Sequence, residues 1–264
     1  YISERQARQV RGLIQSRGIQ PKLAIINSNQ KNLASQKYTQ LKQIRAKELG
    51  VKAELYEIEQ KDAPKLIQKL SQDRSVHGII LQLPLENPNQ TDELINLIPP
   101  EKDVDALGKS PIVEPATVEA ILWLLAGYNI ELKNKNILIV GRGRLVGKPL
   151  ESLLKGQGLE PTSLDVSSTK KELTEALIAA DIVISATGSP GLIKPEMLKS
   201  GQVVIDAGTS EDTSNNGKLL GDVDPTVYES SLDLKITPVT GGLGPLTISC
   251  LFENLLKLID KSIL

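Results

Sequence analysis

The stretch with the clearest chemical signature is Asn136 to Pro149, NILIVGRGRLVGKP. Its apolar run, Ile137 to Val140, reads as a buried parallel strand. Gly141, Gly143 and Gly147 follow, and apolar residues at helical spacing begin near Leu150. A strand that turns through glycines into a helix presents free backbone N–H groups at the positive end of the helix dipole, which is how phosphate is held. The spacing, G-x-G-x-x-x-G, is one residue longer than the common dinucleotide fingerprint, and an ordinary strand-to-helix turn is the competing reading. Arg142 and Arg144 add cations beside this turn. Tyr38 and Lys42 are four apart on a helical pattern and so share a face, although on spacing alone a solvated lysine stacked on a tyrosine is the better reading. Gln82 ends an apolar run, where open α/β sheets place ligands, or where a polar residue satisfies local backbone. Asp105 lies in a charged loop, ordinarily the setting of a surface carboxylate.

Composition narrows the chemistry. The 264 residues suffice for one large or two modest cores. With 31 Lys plus Arg against 32 Asp plus Glu, no bulk charge draws the chain to nucleic acid or an anionic membrane. The single cysteine, Cys250, rules out an internal disulfide or a cysteine metal cluster and suits a reducing compartment. The single histidine, His77, argues against a His-rich metal site or a Ser-His-Asp triad, and no metal is expected. No apolar run approaches membrane-spanning length. The chain begins at Tyr1 rather than Met, which points to a missing start and would hide any targeting segment. A cytoplasmic location is expected, with an organelle left open.

These residues need elements to hold them. Helical patterns run over 3–16, 34–49 (ended by Gly50 as its cap), 63–70, 92–97 and 117–126, with a last helix from the glycine loop 241–245 to about Ile259. Strand patterns occupy 23–26, 51–58, 76–81, 137–140, 161–166, 181–187, 203–207 and 236–238. The alternation specifies an α/β fold of two open parallel sheets with helices on their faces. The expected boundary falls between Gly108 and Pro115. Mid-strand His77 reads as a buried structural residue.

Five motifs in order carry a resemblance. They are Tyr38-x-x-x-Lys42, Gln82-Leu83-Pro84-Leu85, Lys102-Asp103-Val104-Asp105, the GRGRLVGKP turn, and Pro238 to Thr247, PVTGGLGPLT. Together they resemble the bifunctional methylenetetrahydrofolate dehydrogenase/methenyltetrahydrofolate cyclohydrolase family over nearly the whole chain. The resemblance implies a folate-binding catalytic domain (1–112, completed by a C-terminal helix, 245–264, packing back on it) and a Rossmann NAD(P)-binding domain (113–244), with a cleft between them. It also implies oxidation of 5,10-methylenetetrahydrofolate with NADP or NAD, hydrolysis of the methenyl product to 10-formyltetrahydrofolate, and a homodimer formed through the Rossmann domains. The alternatives are a dehydrogenase that lacks the second step and a non-catalytic folate- or nucleotide-binding protein.

By the same resemblance, Lys42 is the catalytic lysine, suited to managing protons beside a pterin when partly desolvated, Tyr38 assists it and Gln82 holds it. Asp105, rather than Asp103, accepts the pterin N–H and amino group together. Gly241, Gly242 and Pro245 line the substrate side. The cofactor set is Gly141, Arg142, Gly143, Val146, Gly147, Asp165, Ser167, Thr187 and Gly188. Arg142 and Ser167 align with binders of the 2′-phosphate of NADP, whereas Asp165, about 20 positions past the glycines, suits an NAD ribose; NADP is slightly favoured. Departures from the family pattern are Ala106, Val118 and Ala120 (usually Gly, Pro and Gly), Gly143 (usually Ser), Val166 (usually His), Thr240 (usually Pro) and a longer Asn27–Asn32 loop.

Overall fold

The computed structural model describes residues 2–165, 167–212, 218–239 and 242–263. The chain divides into two compact units, Tyr1–Glu119 with Leu246–Leu264, and Ala120–Pro245.

The first unit opens with α1 (Ile2–Arg17), followed by β1 (Lys22–Asn27), α2 (Leu33–Leu49), β2 (Lys52–Glu57), α3 (Ala63–Gln72), β3 (Gly78–Leu81) and the short α4 (Thr91–Ile95). The strands form a parallel sheet in the order β2-β1-β3. Central β1 is buried on both faces, which is why Leu23 to Ile26 read as a continuous apolar run. α2 is punctuated as its sequence dictates. Asn32 accepts from the Ser35 N–H at its start, and Gly50 closes it at φ 81°, a left-handed conformation that costs glycine little. α3 turns Ala63, Ile67 and Leu70 onto a core with Ile26, Ile79 and Leu81. β3 begins at Gly78 rather than Val76, and His77 just before it is structural: its Nδ1 accepts from the Lys22 N–H at 3.1 Å.

In the second unit β4 (Ile137–Val140), β5 (Thr162–Leu164), β6 (Ile182–Ser185), β7 (Val203–Asp206) and β10 (Lys235–Ile236) form a five-stranded parallel sheet, ordered β10-β7-β6-β4-β5. The order in which strands are added reverses between β4 and β6, the point at which doubly wound sheets bind nucleotides. The helices are α5 (Ala116–Gly127, which crosses the unit boundary), α6 (Gly147–Gly156), α7 (Lys170–Ala179) and the single turn α8 (Pro225–Tyr228); α9 (Leu243–Ile263) begins at the end of this unit and belongs to the first from Leu246 onward. α7 starts with a reciprocal capping box between Thr169 and Glu172.

Four features differ from the sequence reading. α6 starts at Gly147, not near Leu150, because Lys148 and Pro149 fit a first turn, where N–H groups have no intrahelical partner. α9 starts at Leu243, so Gly244 and Pro245 are helical rather than loop, for the same reason. β5 stops at Leu164, leaving Asp165 just beyond the strand. An antiparallel pair, β8 (Ser210–Asp212) and β9 (Lys218–Leu220), is added after β7.

From Leu246 onward α9 belongs to the first unit. Gln6 of α1 donates to Glu253 Oε2 at 2.7 Å, Arg17 pairs with Asp260 at 2.9 Å and Lys257 reaches Glu119 at 2.9 Å. Leu255 and Val104 close over Gly78.

Candidate active and nucleotide-binding sites

In the first unit the candidate residues gather at the carboxyl end of the sheet. Gln82 follows β3, and its backbone N–H bonds to the Ile26 carbonyl at 2.8 Å. Lys42, buried on α2, donates from Nζ to Gln82 Oε1 at 3.0 Å. The Gln82 amide has one allowed orientation, because its Nε2 donates at 2.7 Å to the Leu83 carbonyl, which can only accept. That carbonyl also accepts from Ser35 Oγ at 3.2 Å. Leu83–Pro84 is cis, and the Pro84 carbonyl accepts from Asn29 Nδ2 at 3.3 Å. Tyr38 lies half-buried one turn before Lys42.

The KDVD motif resolves into separate tasks. Lys102 Nζ donates to the carbonyls of Leu70, Ser71 and Asp73 at 2.8–3.1 Å, capping the end of α3. Asp103 is buried, bridges to Ile79 as a parallel strand would, and accepts from the Gly108 N–H at 2.8 Å. Its burial pushes the carboxyl up to about 6, against hydrogen bonds from that turn, with the nearby Asp105 charge adding to the rise. Asp105 is half-buried, and its carboxylate has no hydrogen bond or ion pair among the described residues. The parallel bridge to Ile79 is confined to Asp103; the chain then turns, the Ala106 N–H donating to the Asp103 carbonyl at 3.3 Å, and Asp105 lies in that turn. Ala106, next in line, is held at φ 56°, where L-residues are strained and the family's usual glycine is not.

In the second unit the glycines differ in what they do. A Cβ on Gly141 (φ 103°) would lie 2.4 Å from the Ala186 carbonyl oxygen, and one on Gly147 only 1.8 Å from that of Gly141. Both are bare because backbone passes against them. A Cβ on Gly143 would meet nothing within 4 Å, so a serine fits there. Val146, buried, caps α6, and the turn sits at the β4/β6 crossing beside Ala186, Thr187 and Gly188. A glycine turn entering a helix is the setting in which phosphate is held; here the Lys148 N–H already donates to the Gly143 carbonyl at 3.1 Å and Pro149 has none to offer.

Arg142 is partly engaged: its Nε donates to Glu151 Oε2 on α6 at 3.2 Å. Asp165 Oδ1 accepts from the Ser167 N–H at 2.9 Å and the Ser167 hydroxyl at 2.6 Å, a closed turn of its own. Those bonds, and the nearby Arg142 charge, hold the Asp165 carboxyl below its usual range. Gly241, Thr240 and Val166 lie outside the described residues; Gly242 is half-buried against the Pro238 carbonyl and Pro245 is exposed.

Two residues of this unit escaped the sequence reading. Asp222, fully buried, accepts from Ser185 Oγ (2.7 Å), the Thr187 N–H (2.6 Å) and the Ser189 N–H (3.0 Å). Asp206 accepts from the N–H groups of Gly208, Asp222 and Val223, each at 3.0 Å. Burial, followed by the Asp222 charge among the raising causes, lifts the Asp206 carboxyl. These carboxylates fix the loops after β6 and β7, including Thr187 and Gly188. The sequence signal was an acid closing the apolar run Val203-Val204-Ile205 at the ligand end of a strand.

A buried lysine–amide pair in one α/β unit and a glycine cradle at the crossing point of another define a nucleotide-dependent enzyme of two parts. Family models match accordingly: "Tetrahydrofolate dehydrogenase/cyclohydrolase, catalytic domain" over residues 1–105 and "Tetrahydrofolate dehydrogenase/cyclohydrolase, NAD(P)-binding domain" over residues 115–263. The bifunctional protein FolD of Lactobacillus helveticus is 39% identical over 258 residues, 93% of this chain and 89% of that one. The bifunctional 5,10-methylenetetrahydrofolate dehydrogenase/cyclohydrolase of Thermoplasma acidophilum superposes with a TM-score of 0.87 at 30% identity, covering 99% of this chain and 97% of that one. The Trypanosoma brucei enzyme, solved with NADP cofactor and inhibitor, also gives 0.87 at 30% identity, covering 99% and 94%. The chain belongs to the tetrahydrofolate dehydrogenase/cyclohydrolase family. It is an oxidoreductase and hydrolase of folate one-carbon metabolism with an NAD(P)-binding domain.

Proposed function

We propose that this chain oxidises 5,10-methylenetetrahydrofolate to the methenyl cation and hydrolyses that cation to 10-formyltetrahydrofolate, with Lys42 as the catalytic residue. The observation that carries the assignment is the buried Lys42–Gln82 hydrogen bond at 3.0 Å. Because Gln82 presents its oxygen, it accepts an N–H from Lys42 in either protonation state. In the hydrolytic step water adds to the methenyl carbon, the ring C–N bond to N5 opens to leave the formyl group on N10, and one proton is released; Lys42 takes it. Tyr38, one turn away on α2, assists by packing on the substrate. Asp105 accepts the pterin N–H and amino group as a pair, its carboxylate being uncommitted within the described chain. Gly241, Gly242 and Pro245 line the substrate.

When bound, the nicotinamide cofactor supplies the hydride acceptor. Gly141, Gly143, Val146 and Gly147 would hold its phosphates, and Thr187 and Gly188 the adjoining part. The bare faces of Gly141 and Gly147 support this fit. We favour NADP, with Arg142 and Ser167 as the 2′-phosphate contacts and NAD as the second choice. The functional halves are residues 1–112 with 245–264, and 113–244. The chain works as a homodimer in the cytoplasm. Among the described residues no helix is long and apolar enough to cross a membrane.

The test is one assay with methylenetetrahydrofolate and NADP, then NAD, following reduced cofactor and methenyl product together. Turnover with NADP is expected. In Lys42→Gln methenyl product should accumulate, with hydrolysis down at least about 100-fold, the lower end of what losing an acid–base group costs. Arg142→Ala should raise the NADP KM about tenfold and leave the NAD KM unchanged. Silence of the parent protein with both cofactors, or undiminished hydrolysis in Lys42→Gln, refutes the assignment.

A further inference from the structure

Resting on the reading of Asp105 as the pterin acceptor, we propose that Asn254 of the C-terminal helix is a positioning residue that holds the Asp105 loop in its binding conformation. Asn254 is fully buried on α9. Its Nδ2 donates to two backbone carbonyls, Val104 at 3.1 Å and Glu114 at 2.7 Å. Carbonyls only accept, so the amide orientation is set and a carboxylate in its place would lose both bonds.

The two carbonyls bracket residues 105–113, so one side chain ties both ends of the loop to one point. Val104 O belongs to the peptide unit whose nitrogen is that of Asp105. Fixing this oxygen fixes the plane from which the Asp105 side chain departs. Three inner bonds shape the remainder: the Asp103 carbonyl accepts from the Ala106 N–H at 3.3 Å, Asp103 Oδ2 from the Gly108 N–H at 2.8 Å, and Asn96 Oδ1 from the Lys109 N–H at 3.0 Å. The first closes the turn around the Val104–Asp105 peptide, but none of the three is made to the Val104 carbonyl, and Ala106 at φ 56° strains the same turn. A strained loop keeps its shape only when its surroundings impose it. Asn254 meets that need although its own Oδ1 is left buried without a partner among the described residues. An asparagine retained for packing alone gives no reason for that arrangement.

The experiment measures Asn254→Asp, Asn254→Ser and Asp105→Asn beside the parent enzyme. Readouts are separate KM values for methylenetetrahydrofolate and NADP, kcat, and amide hydrogen exchange across residues 104–114. Asn254→Asp should raise the folate KM about tenfold, the scale of one or two lost hydrogen bonds. kcat should stay within threefold, the NADP KM should be unchanged, and exchange in 104–114 should quicken. Asn254→Ser, which keeps one donor in less volume, should fall between and covers the case in which the aspartate variant does not fold. An unchanged folate KM in either folded variant, or a proportional change in both KM values, overturns the proposal. If Asp105→Asn alone leaves the folate KM unchanged, it is the reading of Asp105 that fails. The exchange rates then still report whether Asn254 holds the loop.

Discussion

Replacing Gly147 by alanine should damage cofactor binding, and replacing Gly143 by alanine should not, although the two glycines look equivalent in sequence. The added carbon at 147 would sit 1.8 Å from the Gly141 oxygen and 3.1 Å from Arg142 Cα. An ordinary carbon–oxygen contact is about 3.3 Å, so the Gly141 turn must retreat by roughly 1.5 Å, taking its phosphate-facing N–H groups along. Forced overpacking of this kind costs about 1–3 kcal/mol, which corresponds to a roughly tenfold to 100-fold weaker NADP affinity. At Gly143 nothing lies within 4 Å and the backbone is outside the left-handed region. Alanine there narrows only the unfolded ensemble, a gain of about 0.4–1 kcal/mol and a rise in Tm of about 1–4 °C. Calorimetric titration with NADP and thermal melts of both variants give the two numbers. Parent-like affinity in Gly147→Ala, or an equal loss in both variants, would show that the close approach of these backbones has no part in forming the site.

Two positions where this chain carries alanine and its family usually carries glycine should respond differently to restoration. Ala106→Gly should be neutral within about 1 kcal/mol, because relief of left-handed strain worth about 1–2 kcal/mol offsets the lost methyl burial and added chain entropy. Ala120→Gly, in the buried interior of α5, has no strain to relieve and should cost about 1–2 kcal/mol; chemical denaturation of both separates them. Asp103 holds its proton more tightly when folded, since its carboxyl rises to about 6 from an ordinary 3.8. Its stabilising contribution is therefore complete below about pH 4 and lost as pH climbs through about 6, a change of roughly 3 kcal/mol at most. Asp103→Asn can still accept from Gly108 and should flatten the stability–pH curve between pH 4 and 7. An unchanged curve by denaturant titration would contradict the assigned burial.

The alternation of strand and helix was legible because each element is punctuated: Gly50 ends α2, and the 137–140 run is buried as read. Element ends were less so. The starts of α6 and α9 run through glycine and proline, whose helix-breaking character lapses in a first turn. The β8–β9 strands are three residues each, too short to carry a periodic signal. Tyr38, Lys42, Gln82 and Asp105 stood out through motif order, yet the residues that brace them did not. Asp103 and Asn254 in the first unit, and Asp222 with the half-buried Asp206 beside Thr187 and Gly188 in the second, are types that normally face water, and their enclosure emerges only when distant segments meet. Gly143 is the converse: a motif position with no steric duty.

The helix pairings of the first unit bear on the order in which the protein can assemble during synthesis. α1 bonds to α9 through Gln6 and Glu253 and through Arg17 and Asp260, while the whole of Ala120–Pro245 intervenes in the chain. Domains emerging from the ribosome ordinarily complete themselves from the N-terminus onward. Here the segment made first waits for the segment made last, and the nucleotide-binding half, contiguous in sequence, finishes ahead of the half that precedes it. Until Leu246 to Leu264 emerge, the apolar faces of β3 and α1 lack their cover, making the nascent first unit the stage most exposed to aggregation or chaperone capture.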